Sequence, residues 1–593
     1  MIWFEPCGAA AQGERVCLRA HAPRWLYPQV SLALWADAGD FRIECAMEWV
    51  DLDAHGEDVY ETVLDTGAMR GLYWYRACDG ETMQLSVYDP AIAPPGWYAE
   101  GVTYHVFVDR FFRGDPAPLR EDADFKIHRD MTEQPDYLPD ASGEYRNRDI
   151  YGGDLLGVLK KLPYLQSLGV KTIYLSPIFE AWSNHKYNTA DFETIDAHFG
   201  NAEVLNRLCR AAAARGMRVI LDGVFNHVGS DSVYFNREGR YSQPGAWQAH
   251  DSRYGKWFHF TGEKYDSWWG IKTLPAVDKN NADYRAFNAA HARRWMAQGV
   301  AGWRLDVADE LPDDFLRGFY ETVKQKKNDA LILGEVWEDA SNKIAYSVRR
   351  KYFTERELDG VMNYPLRDAI LSFVGGRITA EQAREVMEML CTHYPKPILH
   401  CLMNHIGTHD TPRALTMLVR PDIAQLPRAE QAHVALSEDE RAHAKVLLRR
   451  AAVLQFAFPG SPAIYYGDEA GMEGGADPFN RAFFPWGRED AALTAFYHAL
   501  GWLKTHAACM QHGDFRVVAA EQTLLCVARQ LGEERMFFGV GAPGETVWLP
   551  SRRDLFDIWS GRRLRAHFGR VCANVPACGY FILTNTAELV YNE

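Results

Sequence analysis

Over roughly the first 95 residues apolar and polar positions alternate in short runs, among them "SLALWAD" from Ser31 and "GLYWYRA" from Gly71, with turn residues between them and almost no 3.6-residue period. This pattern predicts a small β-sandwich over residues 1–97. It closes with "DPAIAPPGW" (Asp89–Trp97), whose three prolines disfavour regular structure and mark a boundary. The texture then changes to apolar strand-like runs separated by helical segments, as expected of repeated βα units and a parallel sheet. Candidate strands begin at Val102, Val170, Met217, Gly299, Ala330, Gly360, Ile398 and Ser461. Eight such runs fit a closed barrel more economically than an open doubly wound sheet. Helix signals agree: Asn201 can cap a helix that stops at Gly216, and Thr379 with Gln382 forms a capping box. The barrel is expected over 98–505, with residues 228–283, rich in Gly, Tyr and Trp, protruding after the third strand as an inserted subdomain. Strand-like runs return in "TLLCVARQ", "MFFGVG" and "GYFILT", so 506–593 is expected to be a second β-sandwich. The predicted fold class is α/β: a (β/α)8 TIM barrel flanked by two β-sandwich domains.

At 593 residues the chain is too long for one hydrophobic core, which agrees with this division. A net charge of -15 repels polyanions and excludes nucleic acid and anionic lipid as expected partners. No uncharged apolar run approaches the roughly 18 residues of a membrane span, and the N-terminus has no basic region followed by an apolar one, so a soluble, cytoplasmic protein is expected. Eleven cysteines without a CxxC pair suggest neither a disulfide framework nor a zinc knuckle. Aromatics reach 13%, with 18 Trp; flat apolar rings suit stacking on sugar faces, although most such rings fill cores.

Chemistry in a βα barrel sits at the C-terminal ends of the strands. There the chain carries carboxylates: Asp222 ends the third run, Asp306 the fourth and Glu335 the fifth, and Asp410 follows the seventh, with His227 and His409 near in sequence. A single Asp after a strand is more often a helix cap, and taken alone Asp222 would be read so. Arg304 lies two residues before Asp306, on the same face of an extended strand. Charges in a barrel interior must be paired, so Arg304 is expected to hold a neighbouring carboxylate ionised and oriented. Glu335, flanked by Gly334 and Trp337, combines exposure with an apolar wall of the kind that raises a general acid's pKa. One charged and one protonated carboxylate are the minimum apparatus for cleaving a glycosidic bond, and a retaining mechanism needs them about 5 to 5.5 Å apart.

Four ordered motifs, "DGVFNH" (Asp222–His227), "GWRLDVADE" (Gly302–Glu310), "GEVWED" (Gly334–Asp339) and "THDTPR" (Thr408–Arg413), resemble the four sequence regions of the alpha-amylase family of glycoside hydrolases. The similarity runs from about Gly101 to Trp486, and "NHKYNTADF" (Asn184–Phe192) with the segment Tyr465–Trp486 looks like the neopullulanase, cyclomaltodextrinase and amylopullulanase branch. The resemblance implies Asp306 as nucleophile, Glu335 as acid/base and Asp410 as the third carboxylate that grips sugar hydroxyls in the -1 subsite. It further implies that Arg304 orients Asp306, Tyr187 stacks on the sugar, His227 and His409 bond its hydroxyls, and Asp222 positions substrate or structure. Trp337 would border the +1 side, and Asp477 with Arg481 the -2 side. Ala308, Asp309 and Glu310 stand where many relatives carry a His or Lys pair that helps hold calcium, so that calcium site is not predicted. A second calcium site, after strand one, has its ligand run reduced to "RGDPAPL" around Asp115; "YGGD" (Tyr151–Asp154) matches, which implies Asp154 as a ligand. "LPAVDKNN" (Leu274–Asn281) departs from the fifth motif of cyclomaltodextrinases.

The expected activity is therefore retaining hydrolysis of α-1,4 bonds, with α-1,6 bonds in reach, in malto-oligosaccharides, pullulan fragments or related dextrins, with no cofactor needed for the chemistry. A transglycosylase using the same covalent intermediate stays open, as does a non-catalytic amylase-like binding subunit, although such relatives typically lose the acids that this chain keeps. The N-terminal sandwich is placed like a domain that in related enzymes binds starch or builds a homodimer, and both roles stay open.

Overall fold

The computed structural model describes every residue except 1, 5–7, 116–123, 141–142, 144 and 592–593, and only the backbone of Trp3. Part of the "RGDPAPL" run, 116–119, thus lies outside the described residues. Eight parallel strands form the central sheet: β1 (Val102–Val106), β2 (Val170–Leu175), β3 (Arg218–Gly223), β4 (Gly302–Leu305), β5 (Leu331–Gly334), β6 (Gly360–Val361), β7 (Met403–His405) and β8 (Ser461–Tyr465). They lie in the order β6-β5-β4-β3-β2-β1-β8-β7. A parallel bridge between Met362 and Met403, with the Asn363 N–H donating to the Met403 carbonyl at 3.0 Å, closes the circle. Nearly every strand residue is buried, because helices cover the outside and side chains fill the inside, and so the strands read as continuous apolar runs.

The seventh strand is shorter than its apolar run. Lys396–Leu399 forms a turn of helix with Pro397 near its start, where a missing N–H costs nothing, and only Met403–His405 joins the sheet. Elsewhere the local signals behave as expected. The Asn201 side chain accepts from the N–H groups of Glu203 and Val204 at 3.0 and 3.1 Å to open helix Ala202–Ala213. Thr379 and Gln382 exchange both capping-box bonds.

Tyr174, Ile220, Leu331, Leu333, Met362 and Met403 pack with Trp97 and Tyr98 in one apolar cluster. The Trp97 indole donates to the carbonyl of Asp329, just ahead of β5, so these two rings plug the N-terminal mouth of the barrel and leave the C-terminal mouth for the site. Between β3 and helix Ala282–Met296 lies an aromatic-rich excursion with a small hairpin, Phe260–Thr261 and Lys264–Tyr265. It is tied back to the barrel by a bridge from His227 to Ala276.

Ahead of the barrel, a four-stranded and a five-stranded sheet enclose their own core of Leu18, Leu32, Leu34, Tyr75 and Leu85. After it, a six-stranded and a two-stranded antiparallel sheet enclose Cys526, Phe537, Leu549 and Leu555. Among the described residues no helix is long and apolar enough to cross a membrane.

Candidate active site

Asp222 and Arg304 are paired in register across β3 and β4. Both are fully buried, and the Arg304 Nη1 donates to Asp222 Oδ1 at 2.8 Å and to Oδ2 at 3.0 Å. Asp306 leaves β4 with its N–H on the Gly223 carbonyl, and Glu335 leaves β5 with its N–H on the Leu305 carbonyl, so the backbone ladder carries both carboxylates to the barrel mouth. There one guanidinium serves both: Arg304 Nη1 lies 2.8 Å from Asp306 Oδ1, and Nη2 lies 2.9 Å from Glu335 Oε2. The pairing expected from sequence is thus wider than one aspartate.

Two further donors fix Glu335. The Val307 N–H reaches Oε2 at 2.9 Å, and Val307 itself sits in the left-handed region (φ 43°) that a β-branched residue avoids. The Trp337 indole N–H reaches Oε1 at 3.0 Å while its ring stacks on Tyr364 at 4.1 Å. Trp337 is therefore a polar partner of Glu335, not the purely apolar wall expected of it, because the indole edge faces the carboxylate. Nothing in the motif spelling announces the twist at Val307.

Asp410 lies 3.1 Å from His409 Nε2 and 3.7 Å from Arg481 Nη2, and Arg481 Nη1 pairs with Asp477 at 2.9 Å. Tyr187 stacks almost parallel on His409 (centroids 5.0 Å apart, 6° between planes) and donates its hydroxyl to Asp222 at 2.8 Å. His227 points Nε2 at the Tyr187 carbonyl, 3.1 Å away, and stacks on Trp268. Asp222 is thus a strut: it accepts from Arg304, Tyr187 and also Tyr174, the last at 2.5 Å, and does not line the cleft. Tyr174 went unremarked in sequence because a tyrosine on an apolar strand reads as core.

Burial pushes the Asp306 carboxyl well up from the usual range, against the pull of Arg304 and helped by Glu335, Asp222 and Asp410. Burial, with Glu335 close by, pushes Asp410 up to about 7. Five carboxylates, those of Asp222, Asp306, Glu335, Asp410 and Asp477, face the two guanidiniums of Arg304 and Arg481, so negative charge is in surplus and Asp410 holds its proton to about neutral pH. Burial keeps His227 down at about 4 and His409 well below its ordinary value, the latter also because His105, Arg481 and Arg304 are near; both present neutral imidazoles.

Asp306, Glu335 and Asp410 open into one cleft of about 960 Å³. Tyr187, His227, Trp337, His409, Asp477 and Arg481 also line it, and Trp268, Trp269, Ile344 and Tyr346 complete the rim. Asp154 stands apart. It caps helix Leu155–Lys160, and its carboxylate receives the N–H groups of Gly114, Asp115 and Gly157. Such donors and the positive end of a helix repel a cation, and among the described residues Asp154 belongs to no close group of three His, Cys, Asp or Glu side chains. The described surroundings do not fit calcium.

A carboxylate pair on one guanidinium, at the open mouth of a (β/α)8 barrel beside a third buried acid, defines the glycosidase class of barrel. The profile described as "Alpha amylase, catalytic domain" matches residues 105–511, and the chain belongs to the alpha-amylase family of glycoside hydrolases. It is 31% identical to an amylopullulanase of Thermoanaerobacter thermohydrosulfuricus over 91% of this chain and 40% of that protein. It is 32% identical to a cyclomaltodextrinase of Geobacillus thermopakistaniensis over 82% of this chain and 77% of that protein. The chain spans less than half the length of the amylopullulanases it matches. A solved cyclomaltodextrinase structure superposes with a TM-score of 0.71 at 25% identity, covering 98% of this chain and 99% of the other.

Proposed function

We propose that this protein hydrolyses α-1,4-glucosidic bonds of malto-oligosaccharides and pullulan-type dextrins with retention of anomeric configuration. The observation that carries the reading is the Arg304 guanidinium ion-paired with both Asp306 and Glu335 at an open cleft. Asp306 attacks the anomeric carbon while Glu335 protonates the leaving oxygen, giving a glycosyl ester on Asp306. Glu335 then takes a proton from water, whose oxygen attacks the anomeric carbon, breaks its bond to the Asp306 oxygen and releases Asp306 as the carboxylate. Arg304 keeps the two carboxyls in mutual orientation. Asp410 and His409 bond sugar hydroxyls, Tyr187 stacks on the ring, and Arg481 with Asp477 meets the next unit toward the non-reducing end. The names of the relatives, amylopullulanase and cyclomaltodextrinase, favour α-glucans as the substrate class. No metal enters this chemistry.

Proton NMR of the first reducing ends released from maltotriose tests the reading: the α-anomer is expected, and early β-anomer overturns it. Asp306→Ala and Glu335→Gln are each expected to lower kcat by at least about a thousandfold with the fold intact by circular dichroism. Products from pullulan decide the linkage: panose marks α-1,4 cleavage, maltotriose α-1,6.

A further inference from the structure

The loop that follows Glu335 ends in a small hairpin, Ile344–Ala345 paired with Val348–Arg349. Tyr346 and Ser347 form its tip, both at positive φ (50° and 64°), the backbone of a tight hairpin turn. The tip leans over the cleft. Tyr346 is 68% exposed yet lines it, with its hydroxyl donating to Glu310. Beside it Trp269, 76% exposed and itself at positive φ, stacks on Trp268 at 4.8 Å. Two broad apolar rings left bare in a cleft are costly to solvate and suited to sugar faces.

The direction of the bound chain follows from the chemistry. A general acid protonates the leaving oxygen, so the leaving units lie on the side of the cleft where Trp337 meets Glu335, and the Tyr346 hairpin belongs to the same loop, whereas Arg481 and Asp477 gather beside Asp410.

The base of the hairpin is held by the N-terminal sandwich. Arg349 makes a bidentate pair with Asp37, Nε to Oδ2 and Nη2 to Oδ1, both 2.8 Å, and Asp37 is itself fixed by the Trp74 indole N–H at 2.9 Å. Beside it the Gln84 side chain donates to Ser341 Oγ at 2.9 Å and accepts from Asn342 at 2.8 Å. These bonds join strands of one domain to the rim of a cleft built by another. Bidentate, half-buried pairs fix geometry where single exposed ones do not.

We propose that the N-terminal sandwich positions the hairpin through Asp37 and Gln84, so that Tyr346 and Trp269 seat the sugar units of the leaving group beyond the first. The inference rests on the hydrolase reading above. Asp37, Gln84 and Arg349 are positioning residues: they touch the wall, not the reacting atoms.

The test compares a long substrate, maltohexaose, with p-nitrophenyl α-maltoside, whose leaving group ends before Tyr346. Asp37→Asn and Arg349→Met are each expected to raise KM for maltohexaose about five- to tenfold, with kcat and p-nitrophenyl maltoside kinetics within about twofold of wild type. Tyr346→Ala, at an exposed tip, is expected to reproduce the maltohexaose effect. The exchange Asp37→Arg with Arg349→Asp is expected to recover most of the lost affinity. An unchanged KM ratio in Tyr346→Ala, or equal losses on both substrates in the brace variants, overturns the proposal even if those variants fold poorly. A wild-type protein inactive on both substrates would instead sink the hydrolase reading, and this proposal with it.

Discussion

Asp410 differs from the other acids in having no full ion pair: the nearest Arg481 nitrogen is 3.7 Å away and His409 is neutral. In the fold it keeps its proton up to about 7, whereas in an unfolded chain it releases it near 3.8. Between those values the folded state binds the extra proton, so stability falls as pH rises and levels off above about 7. Asp410→Asn is neutral at every pH and is expected to raise Tm at pH 8 while leaving it nearly unchanged at pH 4, read by scanning calorimetry, at the expense of activity. That Asp306, Glu335 and Asp410 meet at one cleft could be read from sequence, because each ends or follows an apolar run of the barrel. The left-handed backbone of Val307 could not, because a β-branched residue is disfavoured there and no local spelling records the exception.

At the scale of elements, helix Leu155–Lys160 is only six residues long and depends on its cap. Asp154 gathers backbone donors from both its own first turn and the loop at Gly114 and Asp115. Asp154→Ala is expected to cost about 1 to 2 kcal/mol, equally with and without EDTA, measured by urea denaturation; a loss that EDTA abolishes would restore the calcium reading. "YGGD" could be taken as ligand or cap, since both use an aspartate beside glycines, and only the placement of Gly114 decides between them. The Ile398 run fails for a related reason: apolar content shows that a segment is buried, and Pro397 just ahead of it favours the helical turn Lys396–Leu399 that takes its first two residues. Strand ends and helix starts with a dedicated cap, such as Asn201 and Thr379, were readable because one side chain suffices to make them.

For the whole molecule, the barrel and its flanking sheets could be read from the change of hydrophobic period along the chain, whereas the bonds between domains could not. Asp37 and Arg349 are 312 positions apart, and each looks like a solvated surface charge until the fold brings them together. The net charge of -15 sits on a molecule whose proposed substrate is neutral. Encounter is then unsteered, and kcat/KM on maltotriose is expected to stay constant from about 0.05 to 0.5 M NaCl, checked by initial rates. A strong salt dependence would point to a charged ligand.

Arg304 sharing its two nitrogens between Asp306 and Glu335 also bears on inhibition. A pyranose mimic with an ammonium in the ring would enter a gap where acids outnumber guanidiniums and supply the missing positive charge. Its grip would tighten as pH climbs and the retained proton leaves, until the amine itself deprotonates, whereas an uncharged analogue of the same shape would gain nothing.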